Sequence, residues 1–258
     1  MIRLTFLLRR RSDLSPEEFR RYWFDEHGPL VASHQGHLAI KRYVQVHTLD
    51  DPFAEAAARA RGGAMEEPYD GVAELWFDSE DEFRAAGAAD AGRAAGRALL
   101  EDEAHFIDLA RSPLWLAHEY PQVNPTPETV VASEWNGVVK LYFPLRHLPT
   151  LDLDGAQRYW RVQHGPLIRR QAPAAGILCY RQVHRYETPL EAALRDARGC
   201  EVEPYTGHAE AWFDRSIVRT GPEVRASGRR AVEDERNFID FARSSIWLGK
   251  ERVIVDRW

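Results

Sequence analysis

The sequence repeats itself, and the repeat constrains it more than any other feature. YWFDEHGPL at 22–30 returns as YWRVQHGPL at 159–167, 137 positions on, and YVQVH at 43–47 returns as YRQVH at 180–184 in the same register. EPYDGVAELWFD from Glu67 matches EPYTGHAEAWFD from Glu203, and EDEAHFIDLARSPLWL from Glu101 matches EDERNFIDFARSSIWL from Glu233, at offsets of 136 and 132. Four matches in one order mean a duplicated unit, with small deletions absorbed by loops and helix ends. The chain divides into units 1–122 and 135–258, joined by a linker at 123–134 where proline replaces periodicity.

Each unit reads as β-α-β-β-α-β. In the first, residues 2–9 form a strand, and Ser15-Pro16-Glu17-Glu18 is a capping box with proline in the first helical turn. Phe19, Tyr22 and Trp23 then make one apolar stripe, and Gly28-Pro29 is expected to stop the helix. The second copy repeats the device with Asp152 as cap and Gly165-Pro166 as stop. Strands follow at 41–48 and 71–78, separated by an Ala/Arg/Gly stretch at 54–64 that reads as mobile. Ser79 and Glu82 open an alanine-rich helical region running toward Asp108, before a last strand from Leu114 to Tyr120. Two such units give two four-stranded sheets, each covered by helices on one face. Their bare faces need each other, so the fold class is α+β, an intrachain barrel-like pseudo-dimer. Sheet edges left over would invite a further copy, and a homodimer is expected.

A formal net charge of −6 disfavours nucleic acid and acidic membrane surfaces as partners. Cys179 and Cys200 have neither CxxC nor Cys/His spacing, so they read as reduced intracellular thiols with no structural metal. The opening MIRLTFLLRRR is interrupted by Arg3 and Thr5 and reads as a strand rather than a signal peptide. No apolar run approaches the roughly 18 residues of a membrane span, which makes the cytoplasm the default compartment.

The first strand running into RRRSDLSPEEFRRYW, then HGPL, KRYVQVH, AELWFDSEDEF and EDEAHFID, resembles the EthD family pattern over nearly the whole first unit. The second unit matches almost as far, although QRYWRVQHGPL lacks the acidic residue before its histidine. The resemblance implies tandem ferredoxin-like units assembled face to face into a dimeric α+β barrel. It also implies a catabolic or secondary-metabolic enzyme acting on a hydrophobic, aromatic or polyketide-like small molecule by acid/base dehydration or isomerisation. Related barrels leave two alternatives: a cofactor-free monooxygenase, or a non-catalytic accessory protein that binds an intermediate for a partner oxygenase.

His27 and His164 are the first candidates for catalysis. Each either satisfies carbonyls at a helix end or faces a cleft as general acid or base. Glu74 and Glu210 lie mid-strand in AELWF and AEAWF, where an ionised carboxylate is expensive unless paired. They either orient a histidine or form structural ion pairs with Arg42 or another strand's lysine. Alternation puts Tyr43, Gln45 and His47 on one strand face, repeated by Tyr180, Gln182 and His184, as a wet pocket wall or as a structural hydrogen-bonded set. Trp76 and Trp212 share a face with the glutamates, Tyr69 and Tyr205 enter the third strand, and Tyr22 and Tyr159 lie on the helix stripe. These tyrosines, tryptophans and strand histidines are the candidate substrate contacts. There is no GxGxxG after a strand, no phosphate loop, no HExxH and no GxSxG, so no cofactor is expected. Haem held by a single histidine, which needs no motif, is the minor exception. Differences between the halves, such as Val72 against His208, allow one site to be active and the other degenerate.

Overall fold

Alternation along each strand separates an inner from an outer surface. The structure, a computed structural model, describes residues 1–124, 130–217 and 219–257, so the middle of the expected linker lies outside the described residues. The first half runs β1 (Ile2–Leu8), α1 (Pro16–Tyr22), α2 (Gly28–His34), β2 (Arg42–Thr48), α3 (Phe53–Ala60), β3 (Gly71–Phe77), α4 (Glu80–Ala88), α5 (Asp90–Glu103) and β4 (Leu114–Val123). The second runs β5 (Val138–His147), α6 (Leu153–Tyr159), α7 (Gly165–Ala175), β6 (Ile177–Arg185), α8 (Pro189–Ala197), β7 (Gly207–Asp214), α9 (Pro222–Glu235), the short β8 (Ile239–Asp240) and β9 (Trp247–Asp256).

Within each half the strands pair antiparallel in the order β4-β1-β3-β2 and β9-β5-β7-β6. The halves join edge to edge through β2–β9 and β4–β6, closing an eight-stranded antiparallel barrel. Every barrel strand therefore has two neighbours. The expectation of leftover sheet edges is corrected, because each half's edges are paired with the other's.

An eight-stranded barrel is just wide enough for side chains to fill it. Leu7, Val46, Trp115, Tyr142 and Trp247 do so, with Trp115 and Trp247 at equivalent places in the two halves. The opposite face of the same strands, with Leu4 and Phe6 on β1 and Phe143 and Leu145 on β5, is covered by helices. Space for a ligand must therefore lie outside the barrel, between sheet and helices.

Helix α1 starts as its sequence dictates: Ser15 accepts from the Glu18 N–H while Glu18 accepts from the Ser15 N–H. It does not stop at Gly28-Pro29. Trp23–His27 form a π-helical turn in which the Gly28 N–H reaches back to Trp23 O, and the chain continues helically as α2. Trp160–His164 do the same ahead of α7. Proline inside a helix lacks a donor and collides with the carbonyl four residues back; a widened turn just before it relieves both problems without ending the helix. The 54–64 stretch is also corrected: most of it belongs to α3, which packs on the second half through Phe53 and Ala57. The alanine-rich region is two helices, broken at Ala89. Among the described residues no helix is long and apolar enough to cross a membrane.

Candidate active site

Each half carries a cavity between the outer face of its sheet and its helices. The first, about 400 Å³, lies over β1, β3 and β2 and is closed by α5 and by α8 of the other half. The second, about 500 Å³, lies over β5, β7 and β6 and is closed by α9 and by α3 of the other half. Their walls are mostly apolar, and a histidine, a tyrosine, a glutamate and an arginine recur in both, while Arg84, Arg93 and Arg97 line the first alone.

The π-helical turn delivers the histidine. His27 is buried and lines the first cavity, with Nδ1 2.7 Å from Asp102 Oδ2 at the end of α5. His164 lines the second, with Nδ1 2.7 Å from Asp234 Oδ2. Tyr22 donates to the other Asp102 oxygen at 2.8 Å, and Tyr159 to Asp234 at 2.9 Å. The hydrogen bonds from His27 and Tyr22 hold the Asp102 carboxyl below its ordinary range, as those from His164 and Tyr159 do for Asp234. An ionised aspartate accepts the Nδ1 proton, which fixes the neutral tautomer with a lone pair on Nε2. That nitrogen has no protein partner among the described residues, and the cavity is what it faces. Burial, with Asp102 adding to it, pushes the Tyr22 hydroxyl up to about 12, so it stays a donor.

Tyr43 and Tyr180 are the second shared feature. The Tyr43 oxygen accepts from Trp23 Nε1 and Gln45 Nε2, each at 3.0 Å, and Gln45 also donates to the Trp23 carbonyl of the widened turn at 2.8 Å. Tyr180 receives Trp160 and Gln182 in the same way. Burial raises both phenols above their ordinary value. Each tyrosine lines its cavity with its own O–H uncommitted among the described residues, ready to donate to a ligand oxygen.

The remaining candidates lie elsewhere. His47 and His184 are buried against Trp23 and Trp160, bonded to Gln45 and Gln182, and burial lowers both to about 3; they support the cavity wall as neutral rings. Tyr69 and Tyr205 meet each other at 3.2 Å across the two halves, inside the barrel. Trp76 and Trp212 also point inward and donate to Glu119 and Glu251. Gly71, at the head of β3, leaves room for the Trp23 ring, since a Cβ there would fall 2.4 Å from it.

Glu74 and Glu210 face the barrel interior, on the opposite side of the sheet from His27 and His164. The carboxylates that orient the histidines are Asp102 and Asp234 instead. Glu74 lies 2.6 Å from both Arg3 Nη2 and Lys140 Nζ, and Glu210 pairs with the same two cations. Glu119 and Glu251 complete the cluster on Arg3 and Lys140 respectively. Burial lifts Glu74 above the ordinary carboxylate range, whereas at Glu210 the opposing burial is outweighed by Arg3 and Lys140, so one carboxyl of the pair is held ionised more firmly. Ligand atoms of Glu74, His208 and Glu210 lie within 4.8 Å of one another, a spacing open to a metal ion, but Arg3 and Lys140 already stand there as the cations.

The EthD domain model matches residues 11–110 and again 148–242. The chain belongs to the EthD family. Among solved structures, a provisionally named monooxygenase of Fusobacterium nucleatum is similar at a TM-score of 0.50 and 6% identity, covering 98% of this chain and 93% of that one. Another so named, from Lactobacillus acidophilus, has a TM-score of 0.46 at 7% identity, covering 99% and 95%. An EthD family protein of Bacillus halodurans matches 46% of this chain over 99% of its own length, with 19% identity and a TM-score of 0.33. The likeness to the Fusobacterium protein is one of fold. No match is found among the curated proteins.

Within this EthD chain, reading the sequence missed Asp102 and Asp234. Their signal was the acidic EDE triplet, present in both copies at 101–103 and 233–235, at the end of a helix some 70 residues or more from the histidine it serves. It also missed Arg61 and Arg198, discussed below, because each acts on the half to which it does not belong.

Proposed function

We propose that this EthD protein binds a hydrophobic, ring-bearing small molecule in each cavity and acts on it by proton transfer, with His27 and His164 as general bases. The observation that carries this reading is the His–Asp pair opening on an apolar cavity, found twice. An imidazole whose Nδ1 proton is held by an ionised aspartate offers its Nε2 lone pair as a base, and an apolar wall selects a ring over a polar metabolite. The base takes a proton from carbon beside a carbonyl, the C–H electrons become a C=C bond, and the carbonyl pair moves onto oxygen, where Tyr43 or Tyr180 donates. The oxygen pair then restores the carbonyl, and either the double bond shifts as the neighbouring C–O bond breaks and the hydroxyl leaves as water with the proton from Nε2, or the proton returns to a different carbon. The first outcome is dehydration, the second isomerisation. We read each half as one ferredoxin-like unit, a reading supported by the strand order β4-β1-β3-β2 and its copy.

The test is a screen of aromatic hydroxyketones followed by mass, comparing the wild type with the double variant His27→Ala/His164→Ala. The expected product is lighter by one water or equal in mass to the substrate, and absent with the variant. Unchanged turnover in the variant sinks the proposal. A product heavier by oxygen, with oxygen uptake, assigns the same base to cofactor-free oxygenation, and tight binding without product assigns the cavities to a carrier.

A further inference from the structure

Of the charged side chains at each cavity that the proton-transfer scheme does not use, one arginine comes from the other half. Arg198, just beyond α8, lines the first cavity; Arg61, just beyond α3, lines the second. Both side chains are nearly buried, at 13% and 10% exposure, so they are built into the walls rather than hanging at the rim. Arg198 reaches across to Glu103 with Nε and Nη2, both at 2.8 Å, and gives one Nη1 hydrogen to Leu194 O at 3.2 Å. Arg61 grips Glu235 at 2.9 and 3.0 Å and gives one hydrogen to Ala57 O at 3.2 Å. Phe6 lies against Arg198, and Phe143 and Phe241 against Arg61.

A guanidinium has five N–H groups, and three are accounted for in each case. The two left over, one on each Nη, have no protein partner among the described residues. Glu103 follows Asp102, and Glu235 follows Asp234, so one helix end holds the histidine with one carboxylate and the foreign arginine with the next. Base and cation therefore reach the same cavity from a common anchor. If Arg198 served only to join the halves, burying it in an apolar cavity with unused donors would be a costly way to do it.

We infer that Arg198 and Arg61 are specificity-determining residues, each lent by one half to the other half's cavity, and that they select ring compounds bearing an anionic oxygen or one that becomes anionic, such as a carboxylate, phenolate or enolisable ketone. This rests on the reading of the cavities as ring-binding sites. The planar fork suits two oxygens or a spread negative charge, and low polarity around it strengthens the contact.

The experiment uses two probes with the full chain, 2-naphthoate and the uncharged 2-methylnaphthalene, followed by calorimetry. The variant is Arg198→Met/Glu103→Gln, in which no charge is left buried without its partner. In the wild type both probes are expected to fill two sites. In the variant the neutral probe still fills two, whereas naphthoate fills one with unchanged affinity and the other at least about tenfold more weakly, the loss of one charged hydrogen bond. Adding Arg61→Met/Glu235→Gln weakens the remaining naphthoate site. Arg198→Lys, which keeps the charge and loses the fork, is expected to lie between. If both variants bind naphthoate as the wild type does, the arginines are only ties and the inference is overturned. If the wild type takes the neutral probe and refuses naphthoate, the inference falls while the ring-binding reading stands. If it takes neither, the ring-binding reading fails and takes the inference with it.

Discussion

The two helix-side cavities and the ion cluster inside the barrel are both built from duplicated residues, yet they have aged differently. Around the cavities the copies kept the same residues in the same contacts: His27 and His164 on aspartate, Tyr22 and Tyr159 on that aspartate, Trp-Gln-Tyr beneath them, and arginine on glutamate across the halves. Inside the barrel, Arg3 of one half is answered by Lys140 of the other, Thr5 by Tyr142, and Val72 by His208, which bonds to Tyr142 at 2.8 Å. A buried cluster needs its charges matched, and an ammonium can match a carboxylate as a guanidinium does. A cavity that positions a ligand needs specific donors at specific angles, and substitution there changes what it holds.

The comparison yields measurements of decreasing size. His27→Gln/His164→Gln is expected to lower turnover by about 10²- to 10⁴-fold, the contribution of a positioned base, while the melting temperature barely moves. A melting temperature that falls with activity would make these histidines structural. Lys140→Met should do the reverse: by leaving Glu74, Glu210 and Glu251 with too little positive charge, it should cost about 3–5 kcal/mol in denaturant unfolding, with cavity ligand affinity kept in whatever folds. Arg3→Lys, which makes one half imitate the other, should cost about 2 kcal/mol, one charged hydrogen bond. If it proves as damaging as Lys140→Met, the cluster depends on geometry as the cavities do, and the contrast collapses.

The effect that is smallest per step is a slope. Burial lowers His47 and His184 from the ordinary 6.5 to about 3, so between those values the unfolded chain binds protons that the folded chain refuses. Their contribution is complete above about pH 6.5 and is lost steadily as pH falls toward 3, by about 1.4 kcal/mol per pH unit for each ring. Unfolding free energies across that range, with His47→Phe and His184→Phe removing one share each, would show it. Variants that lose stability as steeply as the wild type would mean that the rings are charged in the fold.

Much of this was legible before the structure. The repeat, the capping box at Ser15 and the four strands of each unit follow from local pattern, because local hydrogen bonds and alternation decide them. The burden on Glu74 was legible too: a carboxylate in AELWF had to be paired, and a lysine from another strand, one of the partners considered, is among those it has. What escaped depended on residues far apart or on the other half. Helix α3 looks featureless by itself because the second cavity supplies its apolar neighbours. Gly28-Pro29 carries the usual marks of a helix end, and only its surroundings turn it into a change of pitch.

That change of pitch also dates events. A surplus residue accommodated at the same place in both halves, 137 positions apart, is older than the fusion that made them halves. A single unit with that turn would leave two sheet edges bare, and the partner that suits them is a second copy of itself, as the two halves pair here. Joining the two in one chain removed the demand that both copies mutate together, and the unlike pairs inside the barrel record that freedom.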